Sequence, residues 1–193
     1  MTFNMKNLFN NQKSKDQKLF DAICNHDIEG LREALRRGAN IEARNIAGFT
    51  PILYAAFCKE KEMVQLLWDA GADIRAVSSS GMNIIQCMVG ASTSKNLMID
   101  IAEKLIKAGV NVNHQDRSGK TALMDAADTS DREMIKLLMR NGADKDISYL
   151  KSKDKNIERA THTRAEDIAA NRNYLDAYKL ITGKDLYESR RDI

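Results

Sequence analysis

Apolar residues in this chain fall in short helical stripes rather than in the alternation of strands. Between Gly48 and Ile74, Ile52, Ala55 and Ala56 share one helix face and Met63, Val64, Leu66 and Leu67 share another. Thr50 and Pro51 mark the start of the first helix, with a hydroxyl free to cap and a proline where a missing N–H costs nothing. Gly71 supplies a left-handed stop to the second, and Ala72-Asp73-Ile74 leads into an extended turn. Neither helix is long enough to stand alone in water, so its apolar face must be covered by a neighbour.

That neighbour is another copy of the same segment. Gly48, Thr50 and Ile52 recur 33 residues later as Gly81, Asn83 and Ile85, and after a further 38 as Gly119, Thr121 and Leu123. The closing pairs Gly38-Ala39, Gly71-Ala72, Gly109-Val110 and Gly142-Ala143 keep the same register. A period near 33 predicts an array of supersecondary units, each stabilised by the next.

The residues Gly48-Phe49-Thr50-Pro51-Ile52-Leu53-Tyr54-Ala55-Ala56 match G-x-T-P-L-H-x-A-A, and Val64 to Asp73 match V-x-L-L-L-x-x-G-A-D. On these motifs the chain resembles the ankyrin-repeat proteins, in a short, bacterial-type form. The resemblance spans roughly residues 16 to 183 and implies an all-α solenoid of about five stacked helix-turn-helix units with extended turn loops. One departure recurs: the His that follows the Leu is Leu53, Gln86 and Met124 here. The hydrogen bond that this His makes between repeats is therefore in question.

The expected organisation is a flexible basic tail over 1–14, repeats over 15–183 and a polar tail over 184–193. The units fall at about 15–45, 46–78, 79–115, 116–147 and 160–183. In the first, Leu19, Ala22 and Ile23 stand for Ile52, Ala55 and Ala56, and a charged second helix suits a terminal cap. Small polar residues at 91–96 lengthen the third. A patternless insert at 148–161, carrying Lys151, Lys153, Lys155 and Arg159, reads as a mobile basic finger.

Composition narrows the function. Hydrophobic residues make up 43% of the chain and aromatics only 6%, which suits cores of Ala, Leu, Ile and Met. A net charge of +3 is too small to signal a nucleic-acid partner. Three unpaired-looking cysteines give no metal or redox spacing and argue against an oxidising compartment, and no apolar run approaches a membrane span. A cytoplasmic protein is expected, with a translocated effector left open. No phosphate-binding, nucleophile-elbow or metalloprotease motif occurs, and the three histidines lie on different repeats. We therefore expect no enzyme and no cofactor.

Binding is what remains. The resemblance implies a concave surface formed by the turn tips and the exposed side of each first helix. At those positions stand Arg44, Ile46, Phe49, Phe57, Val77, Met82, Arg117 and Lys120. Apolar groups rimmed by cations fit a protein partner contacted by an otherwise monomeric chain, which acts as an inhibitor, an immunity protein or an effector adaptor. Phe49, Phe57 and Met82 are read as surplus to folding. The alternative is an anionic ligand or nucleic acid on Lys151, Lys153, Lys155 and Arg159, aided by the N-terminal tail.

Overall fold

A computed structural model describes residues 5–89, 98–151 and 161–184. Two compact units divide the chain, Met1–Ser79 and Ser80–Ile193. The first holds α1 (Met5–Cys24), α2 (Ile28–Arg36), α3 (Pro51–Phe57) and α4 (Lys61–Asp69). The second holds α5 (Ile84–Met88), α6 (Ile99–Lys107), α7 (Ala122–Thr129), α8 (Arg132–Arg140), the strands β1 (Tyr149–Lys151) and β2 (Thr161–Thr163), α9 (Ala165–Asn171) and α10 (Leu175–Thr182). The helices come in pairs, as the 33-residue period predicts.

Each pair forms for reasons visible in its sequence. Asp27 accepts the Gly30 N–H and Asp131 the Met134 N–H, so both second helices begin on a side-chain cap. The glycines at the far ends of α2, α4, α6 and α8 all have positive φ, which halts the helix where the pattern places the stop. Between the helices of a pair one further residue is left-handed: His26, Lys59, Ser130 and Asn173. Four unrelated side chains in one conformation show that the turn geometry, not the residue type, is being imposed.

The core of the first unit is the facing surface of α1, α3 and α4. Leu19 and Ile23 meet Ile52, Leu53, Ala55 and Ala56, with Val64 and Leu67 behind them, all sealed from solvent. The second unit repeats this with Ile84 and Ile85, then Leu123, Ala126 and Ala127, then Ala165 and Ala169. Alanines on the first helices allow the close approach that the pattern required. Trp68 is half-buried rather than core, as are its sister residues Leu35, Ile106 and Met139.

Polar bonds join successive repeats within each unit. In the first, the Asp73 N–H reaches Glu42 at 2.7 Å and the Asn40 N–H reaches Asp16 at 2.7 Å. In the second, Asn83 Nδ2 donates to the Asn111 carbonyl and His114 Nε2 to the Gly81 carbonyl. Gln86 answers the question raised by the missing His. Its Nε2 donates to the Lys120 carbonyl of the next repeat at 3.0 Å, while its Oε1 and backbone N–H close a capping box with Asn83.

Thr50 stands apart among the caps of the first helices. The residue is 1% exposed, and its hydroxyl accepts no backbone N–H at the start of α3. The Thr121 hydroxyl, by contrast, accepts the Met124 N–H. We expect Thr50→Val to stabilise the protein by about 1 kcal/mol, because an unmet buried hydroxyl is removed without loss of shape. Thr121→Val should instead destabilise by about 1 kcal/mol through its lost cap. Urea titration of both variants measures the contrast, and equal effects would contradict it.

Two expectations change. The chain is helical from Met5, inside the segment read as a flexible tail, and no Gly or Pro between Met5 and Cys24 interrupts it. The insert is not without structure at its ends, where β1 and β2 pair antiparallel with Tyr149 opposite Thr163 and Lys151 opposite Thr161. A two-stranded hairpin thus interrupts an otherwise helical fold. The lengthened loop at 91–96 and the polar tail beyond residue 184 lie outside the described residues.

Candidate protein-binding face

In the first unit Arg44, Ile46, Phe49 and Phe57 sit on one tip hairpin and the helix behind it, and Val77 on the next turn. The Asn45 N–H bonds the Phe49 carbonyl at 3.1 Å, and Asn45 Oδ1 accepts the N–H groups of Ala47 and Phe49, so the tip is closed by its own side chain. Ile46 stands at its apex at 108% relative exposure. An apolar β-branched side chain there gains nothing from the fold.

Behind the tip the aromatic residues form a chain. Phe49 lies 5.5 Å from the Phe57 ring and 6.4 Å from Tyr54, which meets Phe20 of α1 edge-on at 5.9 Å. Phe57, the outermost, remains 53% exposed. Phe49 is half-buried between its neighbours, so it is not surplus to folding as the sequence suggested. The reason lies in Tyr54, an aromatic at the variable place of the motif that gives Phe49 a surface to pack on.

Arg44 also has a structural task. Its Nη1 donates to the Gly48 carbonyl at 2.7 Å and to the Val77 carbonyl at 2.8 Å, bracing its own tip against the next turn. The Val77 side chain is half-buried. A guanidinium committed to two carbonyls has less to offer a partner than its exposure suggests.

The second unit carries Met82, Arg117 and Lys120. Met82 is half-buried, whereas Arg117 is exposed and fixed by its backbone N–H to the Ser80 carbonyl. Lys120 is less free: its ammonium lies 3.9 Å from Asp125 and 5.7 Å from the centre of the Tyr149 ring. Of the secondary basic patch, Lys151 contributes backbone to β1, and the side chain of Lys151 and all of Lys153, Lys155 and Arg159 lie outside the described residues.

Sequence reasoning missed Asp125 on α7. Burial pushes Asp125 up to about 6, against the pull of Lys120 and Gln86, with Asp116 and Asp128 adding to the rise. Asp128 itself is held at 2.8 Å by Arg172, the residue that caps α9. Only the approach of Gln86 on α5 and of the turn carrying Asp116 and Lys120 produces this setting, although an acidic residue on the small-residue helix was a visible signal.

The Asp125 shift has a definite sign. The folded state holds a proton that the unfolded chain, near the ordinary value of 3.8, has released. Stability from this group is therefore present below about pH 4 and is lost as pH rises through about 6. Asp125→Asn should remove that dependence, gaining about 1 kcal/mol over the parent at pH 7.5 after allowance for solvent screening, and nothing at pH 4. Urea midpoints at the two pH values read it out, and a gain equal at both would refute the assignment.

Paired helices, glycine-closed turns and tip hairpins at a 33-residue period define a helical repeat fold. Ankyrin repeats match residues 19–116 and 88–189, and the chain belongs to the ankyrin-repeat family. Among similar proteins, the B-cell lymphoma 3 protein homolog of Mus musculus is 32% identical over 134 residues, 66% of this chain and 29% of that protein. Ankyrin repeat, SAM and basic leucine zipper domain-containing protein 1 of Ornithorhynchus anatinus is 26% identical over 66% of this chain and 27% of its own length. A putative ankyrin repeat protein of Rickettsia bellii (strain RML369-C) is 28% identical over 51% of this chain and 14% of its own. The chain thus spans less than a third of these relatives. Ankyrin repeats are in general non-catalytic protein-interaction domains. Among the described residues no helix is long and apolar enough to cross a membrane.

Proposed function

We propose that this chain is a non-catalytic module that binds a partner protein, with Ile46 and Phe57 as the apolar anchors of its first unit. The observation that carries the reading is their exposure beside an aromatic cluster whose other members are half-buried or buried. In the second unit, taken by itself, Met82 and Arg117 are the candidate contact residues. Arg44, Val77 and Phe49 in the first unit, and Lys120 in the second, each already have a task in the fold of their own unit.

Such a module acts by occupying a surface of its partner, in the manner of an inhibitor, an immunity protein or an effector adaptor. The full chain, immobilised in native extract, should retain a protein that an Ile46→Ala, Phe57→Ala variant does not. Retention of the same proteins by both would remove these anchors from the reading.

A further inference from the structure

The two carbonyls that hold Arg44 use one of its three side-chain nitrogens. Nη1 donates to Gly48 of its own tip and to Val77 of the next turn, and the residue stays exposed. Nε and Nη2 form the other edge of the guanidinium, the one that meets a carboxylate side-on through two parallel N–H bonds. Among the described residues, neither of these nitrogens has a hydrogen-bond partner and no carboxylate pairs with the group. Glu42, two residues earlier, is taken by the Asp73 N–H.

A surface arginine normally swings freely, and ordering it offsets most of what an exposed ion pair contributes. In this tip the fold has already done the ordering. The bracing bonds fix the guanidinium before any partner arrives, so its open edge is a preformed fork. Arg44 also stands two residues from Ile46, within about 7 Å of backbone. Phe49, three residues beyond Ile46, lies 5.5 Å from the ring of the exposed Phe57.

We propose that the partner of the first unit presents a carboxylate to the open edge of Arg44, on the same segment as the apolar side chain that covers Ile46 and Phe57. The inference rests on the protein-binding reading above and states what the partner must carry: an aspartate or glutamate about two to four residues from a large apolar residue. One fixed cation balances one carboxylate. A phosphate carries close to a second charge, and no second cation stands in the tip from Asn45 to Phe49 to meet it.

Random peptides displayed on phage and selected on the immobilised full-length protein test this, followed by fluorescence polarisation with synthetic copies of those retained. Peptides whose retention needs Ile46 and Phe57 should carry Asp or Glu near their apolar anchor. Exchanging that acid for its amide, Asn or Gln, should weaken binding to the parent about tenfold and make no difference to Arg44→Gln. The exchange is made on the peptide, so the parent measurement stands even where loss of the brace unsettles the variant. An amide peptide that binds the parent as well as its acid form would overturn the carboxylate and leave the apolar anchors in place. Anchor-dependent peptides without acidic residues would do the same, and tighter binding of a phosphoserine form than of the glutamate form would overturn it in favour of phosphate. Peptides that bind regardless of Ile46→Ala and Phe57→Ala would instead remove the anchors, and this inference with them.

Discussion

Replacing Gly81 by alanine should destabilise the protein by about 3 kcal/mol, whereas the same change at Gly142 should cost about 1. Both residues have similar backbones, with φ of +83° and +81°, so the left-handed penalty is common to them. Space separates them. A Cβ on Gly142 meets nothing, but one on Gly81 lies 2.9 Å from the Arg117 backbone nitrogen, which bonds the neighbouring Ser80 carbonyl. Backbone cannot swing away as a side chain can, so the two tips must part. The Gly81 carbonyl would then lose His114 as well. Equilibrium unfolding in urea distinguishes the two variants, and equal losses would show that conformation alone decides.

The second large effect concerns binding. Ile46→Ala combined with Phe57→Ala should weaken the partner complex by about 2 to 4 kcal/mol, roughly 30- to 1000-fold in Kd, the scale of truncated hot-spot anchors. Stability should change little, because Ile46 is fully exposed and Phe57 half-exposed. Phe49→Ala is the informative contrast. Its ring packs on both Tyr54 and Phe57, so it should lower the melting temperature as well as affinity. Calorimetry of the captured complex and thermal melts of the free variants separate the two kinds of loss. A double variant that binds like the parent would leave the tip without a role.

The difference between Phe49 and Phe57 shows where the amino-acid sequence stops being informative. Both are large apolar residues at positions the repeat does not require, and nothing in their local pattern tells them apart. The distinction comes from Tyr54, whose ring lies beside one and not the other. Arg44 is a similar case, since a carbonyl 33 residues away at Val77 turns an apparent rim cation into a brace.

The period of the apolar stripes, the caps and the glycine stops determined the paired helices and their register without help. Those signals act over one or two turns, where backbone conformation and hydrogen-bonding valence are local properties. Contacts between residues some 30 positions apart were decided only by the packed structure. Gln86 is the plainest example: its residue type departs from the motif, yet its reach to the Lys120 carbonyl restores the bond between repeats. The pairing of β1 with β2 and the protonation of Asp125 are of the same kind. Each depends on which groups are brought near and how much water is removed, and a linear pattern carries neither quantity.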